Sequence, residues 1–192
     1  MPSDLISQTV QGALLSVASN VLAQVITSYK ENTPFSLNLT PILKFALFSV
    51  LSNPPNILWQ NFLEDLFPTH VQTRKSEKAS GRPSNETKSH MNMTNVLIKF
   101  ILDQTVGAVF NTLMFIVFMG YINAPSAEKQ SPWAAVGREI KDKFYPMIMD
   151  GYKVWPIFSL VSFLWIPVDK RIVAGCAVGI GWGVYLSMMA DA

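Results

Sequence analysis

Tyr152 to Ser187 reads YKVWPIFSLVSFLWIPVDKRIVAGCAVGIGWGVYLS, two apolar runs separated by one charged patch, Asp169-Lys170-Arg171. The first run, 154–168, has 15 residues without a charge, and the second, 172–190, has 19. Crossing the hydrocarbon core of a bilayer takes about 20 apolar residues, within a range of about 17–25. The second run therefore reaches across a membrane, and the first is borderline. Trp155, Trp165, Trp182 and Tyr185 stand near the run ends, where amphipathic rings favour the headgroup boundary. The stretch predicts a helical hairpin in lipid, with the upstream chain packed against it.

Composition agrees. Of the 192 residues 49% are hydrophobic and 15% charged, against about 25% charged in an average soluble domain. A net charge of +2 is too small to point to nucleic acid. The single Cys176 has no partner for an internal disulfide and suits a small apolar packing role. No lysine or arginine precedes Lys30, so neither a secretory signal nor an arginine-rich presequence is visible at the start.

Outward from the hairpin, the chain alternates apolar segments with polar links. In the first segment, 5–29, Gly12, Ser16, Asn20, Gln24 and Ser28 recur every four residues and share one helical stripe. Such a stripe serves either as a close-packing seam or as a polar wall, and spacing does not separate the two. The second segment, 45–63, contains Pro54 and Pro55, which should kink it. Asn56 and Gln60 lie on one face there. Residues 69–93 have the composition of a disordered polar loop. The third segment, 104–125, has no charge and follows Lys99 and Asp103, spaced to pair with each other. Gln104, Gly107 and Asn111 share a face further along.

Ser131-Pro132-Trp133 is a helix-start signal. Trp133, Val136, Ile140, Phe144 and Met147 then recur at helical spacing opposite Arg138, Asp142 and Lys143. This predicts an amphipathic helix over 131–146 that lies in the membrane interface. In the last run, Gly175, Gly179 and Gly183 form a small-residue packing face. The expected fold is a single all-α multi-pass membrane domain over 1–192, with four to five apolar helices and that interfacial helix. Orientation stays open, because the lysine and arginine counts of the two sets of loops are seven and eight.

Candidate pore-lining or polar packing residues are Asn20, Gln24, Asn56, Gln60, Asp103, Gln104 and Asn111. No spacing suits a catalytic, metal or cofactor site, so neither an enzyme nor a cofactor is expected. The expected partners are the lipid bilayer, small solutes and, as an open option, further copies of the chain.

The motif Tyr152-Lys-Val-Trp155-Pro156, followed by Pro167, Arg171 and Trp182-Gly-Val-Tyr185-Leu186-Ser187, resembles the C-terminal signature of the Mpv-seventeen/PMP-twenty-two family. These are small proteins of peroxisomal and mitochondrial inner membranes. Asn20 to Gln24, Trp59 to Pro68, Lys99 with Asp103-Gln104, and Pro146 extend the likeness. The chain departs from the family pattern at Ser159 and Ser162, where Gln and Asn are common, and at Val109, where proline is. Asn20 stands where many mitochondrial members carry Asp, so the peroxisomal branch is favoured over the mitochondrial inner membrane. The resemblance implies four transmembrane helices, so that one of the five segments is interfacial or shares a crossing. It also implies a weakly selective channel for small solutes. A non-conducting scaffold or stress-response protein that binds partners is the alternative. Expressed in cells, the chain should pellet with membranes after lysis and leave the pellet only with detergent; recovery in the supernatant would overturn the membrane reading.

Overall fold

The computed structural model describes the backbone of residues 2–74, 87–124 and 131–189, and their side chains except at 2, 72–74, 87–89 and 183–189. Helices α1 (Pro2–Lys30) and α2 (Leu39–Leu66) come first. The Asn38 side chain caps α2 by accepting the Thr40 N–H at 3.0 Å, and α2 continues through Pro54 and Pro55. Helix α3 (Met93–Leu102), a π turn (Asp103–Gly107) and α4 (Ala108–Ile122) follow. Together they form one helix of 30 residues. Then come α5 (Pro132–Gly151), α6 (Trp155–Trp165) and α7 (Val168–Met189).

The side-chain distribution is inverted relative to a water-soluble fold. Among the described residues seven hydrophobic side chains are buried, while nine polar or charged ones are, including Ser52, Asn53, Lys99, Ser159, Ser162 and Arg171. Leu14, Leu43, Leu58, Ile157 and Trp165 lie exposed on the outside. Among the described residues two helices are long and apolar enough to cross a membrane, Ser3–Lys30 and Met93–Ile122. Their apolar windows are only 6% and 17% buried, so neither is the core helix of a soluble protein. That is fewer than the four to five apolar helices expected from sequence. Part of the reason is α2, whose polar residues lower its hydropathy while Ser49, Ser52 and Asn53 turn inward.

Neighbouring helices are antiparallel or parallel according to their contacts. Gln24 meets Asn38, and Gly12 meets Asn53, so α1 and α2 run antiparallel. Lys44 bonds Asn123, Phe48 meets Phe115 and Glu64 meets Lys99, so the long helix runs antiparallel to α2. α7 lies beside α1 in parallel, with Cys176 near Gly12.

Three expectations change. The disordered loop expected over 69–93 has paired ends: His70–Arg74 and Thr87–Met91 form an antiparallel ladder, and residues 75–86 lie outside the described set. The ends of α2 and α3 bring the two strands together, and the Asn92 N–H donates to Thr69 O at 2.9 Å. The helix expected over 131–146 starts as read, with Ser131 Oγ accepting the Trp133 N–H. It continues through Pro146 to Gly151, however, and does not lie across the end of the bundle. Val136 packs on Gly120, Trp133 on Tyr121, and the Tyr152 hydroxyl bonds Gln104 O. Positions 136 to 152 thus run back along 120 to 104, aligned by the apolar stripe. The first hairpin run gives only the short α6, which continues α5 beyond a break at 152–154. α5 and α6 together run antiparallel along the long helix as one interrupted stretch.

The α1–α2 crossing depends on Gly12. A Cβ there would sit 2.1 Å from Asn53 Nδ2 and 3.2 Å from Cys176 Sγ. Gly12→Leu should destabilise the purified protein by about 1–3 kcal/mol through overpacking, read as a lower thermal midpoint in detergent. An unchanged midpoint would mean that the crossing is looser than this.

Candidate functional site

Two linked polar clusters occupy the interior where α2, α3 and α6 meet. In the first, Glu64 Oε2 accepts from Lys99 Nζ at 2.6 Å and from Arg171 Nη2 at 2.8 Å. Glu64 Oε1 accepts the Thr69 N–H at 2.8 Å, and Lys99 also donates to Thr69 Oγ1. The Phe163 ring lies under both cations, 5.3 Å from Lys99 Nζ and 5.0 Å from the Arg171 guanidinium carbon. Lys99 is fully buried and Arg171 is 5% exposed. The Arg171 Nε donates to Ile166 O, and its Nη1 is buried without a partner. The cluster holds two cations and one anion, a net single positive charge.

The Lys99–Asp103 pair that the spacing suggested does not form. Helical side chains lean toward the helix N-terminus, so the long Lys99 side chain reaches back to Glu64 and away from Asp103.

Asp103 anchors the second cluster. Its Oδ1 accepts from Trp59 Nε1 at 3.3 Å and Gln60 Nε2 at 3.0 Å. Its Oδ2 accepts from Gln104 Nε2 at 3.2 Å and from Ser159 Oγ. Asp103 opens the π turn, where the Ala108 N–H bonds to Asp103 O. That shift removes the donor an α-helix would offer Gln104 O, and the Tyr152 hydroxyl replaces it at 2.8 Å. π turns often mark functional positions. Here the turn lies against the break between α5 and α6, so two irregular stretches of backbone share one level. The side-chain Oε1 atoms of Gln60 and Gln104 are both buried beside the carboxylate without partners. A carboxylate with two unfilled amide oxygens suits a donor-bearing guest such as water, a hydroxyl or an ammonium.

The other candidate residues are dispersed. Asn56 and Asn111 line an adjoining groove of about 400 Å³ between α2 and the long helix, whose walls include Trp59, Phe62, Val106 and Phe110. Asn56 Nδ2 also donates to Ser52 O. Asn20 and Gln24 lie near the far end of the bundle. There Gln24 bonds both the N–H and the C=O of Asn38, and it also donates to Asn20. Trp155 meets Phe158 edge to face, and its ring lies against Gly151. Pro156 sits in the first turn of α6, and the carbonyl of Pro167 accepts the Lys170 N–H. Trp182 is half-buried, while the side chains of Tyr185, Leu186 and Ser187 lie outside the described set, as does the surrounding of Gly183. Gly175 packs on Phe158, whereas a Cβ at Gly179 would meet nothing within 4 Å. Among the described residues no group of three or more His, Cys, Asp or Glu converges as a metal site would require.

Sequence reasoning missed the Glu64–Lys99–Arg171 cluster as a unit, with Thr69 and Phe163, and it placed Tyr152 only in the C-terminal motif, not on Gln104 O. The available signal was the position of one acid and two bases at the ends of three separate apolar segments. It also missed the placement of α5. Arg138, Lys141, Asp142 and Lys143 are exposed along the flank of the apolar helix α4, and Lys143 pairs with Glu139 on the same helix.

Residues 127–187 match the model of the Mpv17 / PMP22 family. The chain is 26% identical to PXMP2/4 family protein 3 of Dictyostelium discoideum, over 96% of this chain and 83% of that protein. It is 25% identical to Protein sym1 of Schizosaccharomyces pombe, over 88% of this chain and 77% of that protein. It is also 25% identical to Peroxisomal membrane protein PMP22 of Arabidopsis thaliana, over 54% of this chain and 52% of that protein. No solved structure matches.

Glu64 should be the most sensitive position in the first cluster. Glu64→Gln leaves two buried cations without an anion and should cost about 3–5 kcal/mol, seen as aggregation or a strongly lowered thermal midpoint. Adding Lys99→Met should recover part of the loss, because it removes one stranded charge. A neutral single substitution would show that water already screens the cluster.

Proposed function

We propose that this chain, which belongs to the Mpv17 / PMP22 family, works in an organelle membrane as a weakly selective path for small solutes. The peroxisomal membrane is favoured, in line with the name of the Arabidopsis relative, and the mitochondrial inner membrane is the alternative.

The observation that carries this reading is the depth of the charged face of α5. One edge of the apolar band is set by Lys44 and Asn123, and the other by Glu64, Lys99 and Arg171. Along α2, positions 44 to 64 amount to about 30 Å of helix, the thickness of a hydrocarbon core. α5 returns along α4 between these edges, so Arg138, Lys141, Asp142 and Lys143 lie within the band and outside the bundle. Each such charge facing lipid costs about 2.5–3.5 kcal/mol or more. Facing a water-filled path relieves that cost.

The wall so formed is mixed in sign. Arg138, Lys141, Lys143 and Lys153 alternate with Glu139, Asp142 and Asp150, leaving one net positive charge. Closely mixed charge gives little discrimination between ions, with a mild preference for anions. The Asp103 cluster lies beside the α5–α6 break at the inner end of this wall, where a passing solute with hydroxyl or ammonium donors meets unfilled acceptors. Interrupted helices in membranes are tolerated where they are buried in protein or line a cavity, and they recur at solute sites. The path is open along one side of a single copy, so further copies or other chains would complete it.

A non-conducting scaffold is the second reading. It is favoured by Gln24, whose amide is used fully within the α1–α2 connection.

Reconstitution of the pure protein in planar bilayers separates the two readings. Stepwise conductance with slight anion preference is expected, and Arg138→Gln/Lys141→Gln/Lys143→Gln should shift the reversal potential toward cations. Folded protein that never conducts supports the scaffold. Conductance with unaltered selectivity in the triple variant removes α5 from the path.

A further inference from the structure

A separate recess, with a polar rim and an apolar wall, lies where α1 and α7 run side by side, at the end of the bundle that holds Arg171. It is a cavity of about 460 Å³. Asp4 and Gln8 on α1 face Asp169 and Lys170 in the first turn of α7, and Val173 and Ala177 carry its wall toward the middle of the bundle. Gln8 is the decisive residue. Its side chain forms part of the cavity wall and is 8% exposed, yet its Oε1 has no hydrogen-bond partner. A buried amide oxygen without a donor is costly.

We propose that this recess holds the headgroup of a phospholipid bearing a primary ammonium, of the phosphatidylethanolamine class. The Gln8 carbonyl and the Asp169 carboxylate are acceptors on facing helices, and together they suit a cation with N–H bonds to donate. A primary ammonium has three such donors, as a lysine ammonium does. The quaternary ammonium of a choline headgroup has none. Lys170 adds the one cation of the recess and suits the phosphate.

The choice of a lipid over a soluble aminoalkyl phosphate rests on the position of the recess and on its wall. The charged rim is level with Arg171, at the edge of the apolar band, and the wall turns apolar within two helical turns at Val173 and Ala177. A headgroup at the rim places its glycerol and acyl chains along that apolar part. A free solute would leave it bare. This site is distinct from the α5 wall and from the Asp103 cluster, and it does not depend on whether the protein conducts.

The test uses the full chain in nanodiscs of equal parts dioleoyl-phosphatidylethanolamine and dioleoyl-phosphatidylcholine, with the lipids retained on release counted by native mass spectrometry. Phosphatidylethanolamine should be retained in excess by about tenfold, the worth of one charge-assisted hydrogen bond. Asp169→Asn and Gln8→Leu should each bring the two lipids toward parity while leaving the thermal midpoint in place. Should either variant fail to fold, the other carries the same readout, with Gln8→Met standing in where both fail. Equal retention by the unmodified chain overturns the proposal, as does a preference that survives all the folded variants. Stabilisation of the lipid-free detergent form by free O-phosphoethanolamine as strongly as by the whole lipid would also overturn it, assigning the recess to a soluble solute.

Discussion

The carboxylate of Glu64, shared between Lys99 and Arg171, is the interaction on which the rest of the structure depends. Removing three charges from water costs more than a single attraction returns, unless the surrounding donors and acceptors are filled. Glu64 meets that condition with both oxygens: one takes the Thr69 N–H and the other both cations, while Phe163 covers the cations from below. The three residues come from α2, α3 and α7. Joining them at one point sets the relative heights of three helices, which apolar contacts in lipid would leave free to slide.

Everything further into the bundle is referred to that level. Asp103 lies four residues beyond Lys99 and therefore faces Gln60, which lies four residues before Glu64 on the antiparallel α2. The short α6 enters the same layer with Ser159 on Asp103 and Phe163 beneath the ion cluster. The π turn and the α5–α6 break are complementary defects. One exposes Gln104 O and the other brings the Tyr152 hydroxyl to fill it. Backbone irregularity is thus confined to a place where side chains satisfy it.

The inverted interior follows from the solvent. In water, burying leucine drives folding; in lipid, leucine gains nothing by moving inward, and hydrogen bonds and close packing hold helices together. Ser49, Ser52, Asn53, Ser159 and Ser162 are therefore inside, and Leu14, Leu58 and Ile157 are outside. α5 is the exception to the apolar exterior. Its charges lie beside the apolar α4, and this is the feature that favours a wet path over a sealed bundle.

Run length, tryptophan placement and low charge identify a helical membrane protein directly, because the hydrocarbon thickness acts on each segment by itself. The Ser131 cap, the spacing of the α5 stripe and the amides of the Asp103 layer were legible for the same local reason. Which amides meet was not. Gln60 and Gln104 share Asp103 while Gln24 goes to Asn38, although all of them lie in helical stripes of small and amide residues. Nor could spacing show that Lys99 turns from Asp103 to Glu64, or that the amphipathic helix α5 packs antiparallel along α4. Those outcomes depend on the relative height and direction of helices far apart in the chain, which are set only when the buried charges of separate segments find one another.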